Sequence, residues 1–217
     1  LVADLLKKHN LAIDKVVQHN KWTGKNCPAE IRSGEWGVTW DSFLKSVRRY
    51  MKENTPIVGM ATATLAQMKQ WAKNKGAEQY FIDLAYLFNQ NAISAGIDPV
   101  VVYCQSAKET AYGRFGGVLD KSYCNPCGMK NSQGGGDYDP NAHMKFKSWS
   151  DGIRAQIDHL ALYAGAKGYP KEQSLDPRHF QYLFGTAKTV EELGGKWAPS
   201  KTYGKDIVKM MDEVKNT

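Results

Sequence analysis

At 217 residues, 42% of them hydrophobic, the chain is long enough to bury a proper core in one or two domains. A formal charge of +7 invites a polyanionic partner, yet no run of five or six basic residues and no nucleic-acid motif accompanies it. Nucleic acid is therefore disfavoured against an anionic surface, and with no apolar run of about 18 residues no membrane insertion is expected.

The opening LVADLLKKHN lacks the apolar region and small-residue cleavage site of a signal peptide. It reads as an amphipathic helix already inside a domain, as if the chain had been cut upstream. A strand-like IDKVVQH follows, then a loop with Pro28, Gly34 and Gly37. Asp41 is placed to cap a second helix whose Phe43, Val47, Tyr50 and Met51 fall at i, i+4, i+7 and i+8. This first part spans 1–54, TPIVGMA at 55–61 reads as a linker, and a second domain occupies 62–217. Cys27, Cys104, Cys124 and Cys127 make no disulfide framework in a chain this long. Cys124-x-x-Cys127 lacks the second pair of a structural zinc site, so these two are read as packing thiols.

The second domain starts with Thr64-x-x-Gln67, a capping box ahead of Leu65, Met68 and Trp71. A helix over 77–95 follows, with Phe81, Leu84, Ala85, Phe88 and Ala92 on one stripe and Gly96 ending it. Asp98 caps the next helix and Pro99 takes its first position. That helix is expected to run to about Tyr112, before Gly113 and Gly116-Gly117 break it. Glu109 then lies in the last turn, where the helix end disfavours another negative charge. A carboxyl there is a candidate for a raised pKa and for proton donation; the competing reading is a solvated surface Glu.

After Lys130, SQGGGDYDPNAHMKFKSW cannot form a stable helix and suits a loop feeding an irregular hairpin that carries Asp137, Tyr138, Asp139 and His143. Its acidic spacing is not that of an EF-hand. A helix over 150–165 buries Ile153, Ile157, Leu160, Ala161 and Ala164, with His159 read as a satisfied core or rim histidine. Residues 166–199 are loop-rich, with helical turns at 180–183 and at Thr189-x-x-Glu192. Trp197-Ala198-Pro199-Ser200 and Tyr203-Gly204 open the last helix, striped by Ile207, Met210, Met211 and Val214.

Gln105-Ser106-Ala107-Lys108-Glu109-Thr110-Ala111-Tyr112-Gly113, then Asn125-Pro126-Cys127-Gly128-Met129-Lys130, resembles the signature of glycoside hydrolase family 73, the bacterial glucosaminidases. The pattern there reads roughly Q-A-x-x-E-[ST]-x-x-G, then N-x-[FC]-G-[ILM]-K. The closing G-G-K-W-A-P-S-x-x-Y-G is similar to the end of the same enzymes. The resemblance covers about 60–217. It implies a mainly α, lysozyme-like α+β fold with a small irregular β-hairpin flap over a substrate groove. It further implies that Glu109 is the general acid cutting the N-acetylglucosaminyl bond of peptidoglycan. Asp137 and Asp139 are then the candidates for the second carboxylate, with Asp120 behind them, although the substrate's 2-acetamido group can also attack and make that carboxylate unnecessary. Gln105, Tyr112, Tyr123, Tyr203 and, more loosely, Trp197 are the implied substrate contacts. The expected partners are glycan strands and an anionic cell wall, met outside the cell by a monomer that needs no cofactor.

Within the first part, V-V-Q-His19-N-K-W-T-G-Lys25-N-Cys27-Pro28 resembles the end of a zinc-dependent N-acetylmuramoyl-L-alanine amidase of the bacteriophage-lysozyme type. The resemblance implies zinc ligands at His19 and Cys27 and an assisting Lys25. The other ligands of that family lie upstream and are not in this sequence. Since a catalytic zinc needs three protein ligands and an open position, the segment reads as a remnant with no functional metal. Three rival functions remain: a muramidase or lytic transglycosylase on a similar fold, a zinc amidase, and a non-catalytic wall-binding module. The last is disfavoured because binding modules come as short repeats and none is present.

Overall fold

The computed structural model describes residues 1–217 except Asn10 and Asn54, and except the side chains of Lys7, Lys52 and Glu53. The described residues form two compact units, Leu1–Thr55 and Pro56–Thr217.

The first unit holds α1 (Val2–Lys8), α2 (Asn20–Thr23), α3 (Ala29–Ser33) and α4 (Trp40–Glu53). Its small core joins Ala3 and Leu6 of α1 to Val47 of α4, with Ile13, Val16, Phe43 and Met51 packed around them. Three local expectations fail here. The strand-like stretch is a 3-10 turn at Ile13–Lys15, because among the described residues no neighbouring strand takes its hydrogen bonds. Asp41 lies inside α4; the cap is Thr39, whose Oγ1 accepts from the Ser42 N–H at 3.1 Å while Ser42 Oγ accepts from the Thr39 N–H at 2.9 Å. Tyr50, expected on the buried stripe, is exposed.

The second unit is built around a helix with no polar face. α7 (Pro99–Glu109) has Val100 to Ala107 fully buried, and it touches α6 (Gln79–Ser94), α8 (Trp149–Ala164) and α9 (Tyr203–Lys215). Three consecutive valines are poor helix formers, so this helix is held by its surroundings and its cap rather than by propensity. Asp98 accepts from the Val100 N–H at 2.9 Å and from Thr62 Oγ1 at 2.7 Å. α5 (Leu65–Asn74) begins with the expected Thr64–Gln67 capping box. Trp71, Phe81, Phe88 and Tyr103 meet in one aromatic cluster, with the Phe81 and Tyr103 rings stacked 4.8 Å apart.

Residues 56–58 lie within this unit. Ile57 is fully buried, its N–H donates to Lys188 O and its carbonyl accepts from the Asp98 N–H, so the apolar residue of the segment read as a linker is core. Gly204, at the start of α9, is there because a Cβ would come within 2.0 Å of Val190 O.

The fold is mainly α, but the expected hairpin does not form. Among the described residues the flap segment has one isolated bridge, Lys130 to His143, and a single 3-10 turn at Pro140–Ala142. Three glycines supply no side chains for cross-strand packing, and Pro140 removes a ladder N–H, so the segment stays a loop.

Candidate active site

α7 ends on Glu109 rather than near Tyr112. Thr110 caps it, its Oγ1 accepting from the Gly113 N–H at 3.0 Å, and the chain then turns through left-handed backbone at Ala111, Tyr112 and Phe115 (φ 49°, 61° and 59°). Three non-glycine residues in that region within five positions are a concentration of backbone strain, held by the packing on either side. Its effect is to stop the helix abruptly and leave Glu109 at the mouth of a cleft.

A chain of buried hydrogen bonds leads to that carboxyl from the middle of the domain. Gln156 Nε2, on α8, donates to Gln105 Oε1 at 2.8 Å and to Val102 O at 3.2 Å. Gln105 Nε2 donates to the Tyr203 hydroxyl oxygen at 3.1 Å, and that hydroxyl donates to Glu109 Oε1. Gln105 and Gln156 have no exposed surface and Tyr203 has 3%, so three helices fix the direction of one phenol. Trp197 lines the same cavity as this carboxyl and favours its charged form. As a whole residue Glu109 is exposed, because one side faces the cleft, whereas its carboxyl is crowded by protein on the other side. That loss of solvent holds the Glu109 pKa above its ordinary 4.5, against the lowering pull of Tyr203, Lys108 and Trp197. The crowding outweighs the overall exposure because it acts at the ionising atoms.

Two cavities, of about 290 and 350 Å³, meet at Glu109, Gly128 and Asp137. Asp137 stands on the flap loop, exposed, with Oδ1 2.6 Å from Lys130 Nζ. The hydrogen bond and charge of Lys130 lower the Asp137 pKa below 3.8, opposite to Glu109. The wall under Gly128 is a tight turn built on buried Asn125, whose amide donates to Met129 O and Met144 O at 2.9 Å and accepts from the Met129 N–H at 2.9 Å. Gly152 lets α8 approach that turn: a Cβ there would meet Cys124 O at 1.9 Å. All four cysteines are free thiols; Cys127 is buried beneath the cleft, and burial pushes its thiol pKa well up.

The structure thus brings Glu109, Asp137, Tyr203 and Trp197 together and leaves other expected residues elsewhere. Gln105 reaches the site only through Tyr203, since its own side chain is wholly buried. Tyr112 packs on Trp71 (5.5 Å) beneath Arg114, and Tyr123 lies under Lys145; neither lines the two cavities. Asp139 caps the flap's 3-10 turn through the Asn141 N–H at 2.9 Å, and Asp120 does the same for Ser122 at 2.7 Å. Both carboxylates serve turns outside the cleft lining. Residues given no role from the sequence include Lys130, Gln156, Arg178 and Lys196. Gln156 had a readable signal, as a polar residue on the buried Ile153–Leu160 stripe of α8. His159 is buried, with Nδ1 2.7 Å from Asp176 Oδ2.

In the first unit His19 is exposed and Cys27 half-buried, and the Cys27 carbonyl accepts from the Asn20 N–H at 3.2 Å. Among the described residues no three His, Cys, Asp or Glu side chains converge as metal ligands would, so His19 and Cys27 do not fit a catalytic zinc.

The chain is similar to several curated proteins. A curated protein of Borreliella burgdorferi described as uncharacterized is 29% identical over 139 residues, 63% of this chain and 64% of its own. The N-acetylmuramoyl-L-alanine amidase XlyA of Bacillus subtilis is 31% identical over 80 residues, 33% of this chain and 25% of its own. The N-acetylmuramoyl-L-alanine amidase CwlH of the same species is 28% identical over 106 residues, 46% and 40% respectively. The chain spans less than two thirds of the length of each of these relatives. No solved structure matches. One family profile, described as Mannosyl-glycoprotein endo-beta-N-acetylglucosaminidase, matches residues 85–216, which is more than half of the chain and includes every residue of the cleft described above. The chain belongs to this glucosaminidase family of glycoside hydrolases.

Proposed function

We propose that the chain is a peptidoglycan hydrolase, an endo-β-N-acetylglucosaminidase that cuts the β-1,4 bond between N-acetylglucosamine and N-acetylmuramic acid. One observation carries this reading. Two carboxyls share a cleft, and their surroundings move their proton affinities apart: burial raises Glu109, and Lys130 lowers Asp137. That division suits one acid and one base or nucleophile. Glu109 protonates the leaving glycosidic oxygen, with Tyr203 holding the carboxyl so that its proton faces the cleft. Asp137, kept ionised by Lys130, activates water or meets the anomeric carbon. Asp139 and Asp120 are left out of this role because both cap turns. Tyr203 and Trp197 act on Glu109, and Gln105 acts on Tyr203.

The domain 62–217 is the catalytic part in this reading, with 56–61 leading into it. Segment 1–54 is the end of an amidase domain whose remaining ligands lie elsewhere, a reading supported by the names of two relatives. The enzyme acts on the wall outside the membrane, and no described helix is long and apolar enough to cross one. The test is a digest of purified peptidoglycan, reduced with borohydride and read by mass spectrometry. Reduced N-acetylglucosamine ends are expected; reduced muramic acid or 1,6-anhydro ends would replace this activity by a muramidase or transglycosylase. EDTA should leave the digest unchanged, with no new L-alanine amino termini.

A further inference from the structure

The two cavities that meet at Glu109 differ in charge. One is lined by Ala111, Phe115, Val118 and Leu119, and its only lysine, Lys108, is paired with Asp206 at 3.0 Å. Its one histidine, His143, has Nδ1 2.9 Å from Asp139 O, so this arm offers apolar surface and no unpaired lysine or arginine. The other arm runs past His159, Tyr163, Trp197, Arg178 and Lys196. Among the described residues neither Arg178 nor Lys196 has a carboxylate within ion-pair distance. Arg178 bonds to Asn131 O at 3.4 Å with its guanidinium over the Phe180 ring, and Lys196 bonds to Thr186 O. The nearby carboxylate, Asp176, is turned away. It is buried, and its oxygens face His159 Nδ1 at 2.7 Å, His179 Nδ1 at 3.2 Å and the Arg178 backbone N–H at 2.8 Å. The Lys171 N–H donates to His179 Nε2, which fixes the Nδ1–H tautomer that donates to Asp176. Asp176 therefore anchors the backbone beneath Arg178 instead of neutralising its head. With Lys130 paired to Asp137, this arm keeps two uncompensated cations on a braced wall.

We propose that the Arg178–Lys196 arm is a subsite for a carboxylate on the sugar that leaves, and that the apolar arm receives the neutral sugar. The inference rests on the activity proposed above and adds how the strand's register is read. In a polymer that alternates a neutral and an acid-bearing sugar, one cationic and one neutral arm favour a single placement across Glu109. The carboxylate can come from the lactyl ether of the sugar or from a peptide attached to it. Both present the same planar acceptor to a guanidinium.

The experiment compares kcat/KM on three preparations of the same strands: peptide-free with free lactyl carboxyls, peptide-free with those carboxyls converted to amides, and peptide-bearing. Wild-type enzyme should prefer a free-carboxyl strand over the amidated one by about tenfold, the worth of one charge-assisted contact. Arg178→Gln and Lys196→Gln should each reduce that preference to about two- to threefold, mainly through KM, and Arg178→Lys should retain most of it. Arg154→Gln, the same charge change on the exposed side of α8, should keep the full preference. A preference on peptide-free strands identifies the lactyl group, and one confined to peptide-bearing strands identifies the peptide; either supports the subsite. Far-UV circular dichroism checks that the variants fold, and Lys196→Gln tests the arm independently of Arg178. No preference in the wild type, or one that survives both substitutions or falls equally in Arg154→Gln, overturns the subsite. A wild type that cuts none of the strands overturns the activity itself.

Discussion

Glu109 and Asp137 face the same cleft but are carried in opposite ways. Glu109 ends the most buried helix of the domain, and its carboxyl is reached by a relay of three buried side chains from α7, α8 and α9. Asp137 rides an exposed, glycine-rich loop and is held by one lysine at the surface. The first placement is preorganised, and its cost is met by the whole core. The second is local and adjustable, and water screens it. The difference teaches which half of the site is built to be rigid and which to follow the substrate.

The comparison is broken most severely at its rigid end. Glu109→Gln keeps shape and hydrogen bonding but has no proton to give, so wall hydrolysis should fall by about a hundredfold or more with the thermal transition unchanged. At the adjustable end, Asp137→Asn should lower kcat by about ten- to a hundredfold in the same assay. A near-wild-type rate would instead assign the attack on the anomeric carbon to the substrate's acetamido group. Tyr203→Phe tests the relay itself and should cost about tenfold in kcat, the loss of one hydrogen bond to a charged group. Its sign in pH is distinctive. In the proposed mechanism Glu109 works protonated, so activity falls as pH rises through its raised pKa. Tyr203 lowers that pKa, so removing the hydroxyl should move the alkaline limb of the profile to higher pH. Lys130→Met is the gentlest, a loss of about two- to fivefold. In the proposed mechanism Asp137 works ionised, so activity falls as pH drops through its lowered pKa. Without Lys130 that pKa returns toward 3.8, and the acid limb should move up while the alkaline limb stays in place.

What the sequence made readable were the features set by neighbours in the chain. The Thr64–Gln67 box, the Asp98–Pro99 start of α7, the stripe of α6 and the position of Glu109 at a helix end all follow from spacing. The early stop of α7 was hidden, because Ala111, Tyr112 and Phe115 adopt left-handed backbone with no glycine to announce it. Exposure within a motif was hidden too. Gln105 and Asn125 belong to its recognisable pattern, but both are wholly buried and act on other protein groups. Ile57 was misplaced because a short apolar stretch rich in turn residues looks like a linker until residues 97 and 188 are known to lie beside it. The charge of the second cleft arm depends on where Asp176 turns, 17 residues from His159, and no spacing rule reports that.

The relay also bears on timing during synthesis. Tyr203 is 94 residues downstream of Glu109. At translation rates of about 5–20 residues per second, the carboxyl exists for roughly 5–20 s before the hydroxyl that holds it has been made. Through that interval α7 lacks the packing of α9. Until then the carboxyl lacks the hydroxyl that orients it in the folded chain. The hydrogen-bond chain from Gln156 to Glu109 is complete only once the last helix has docked.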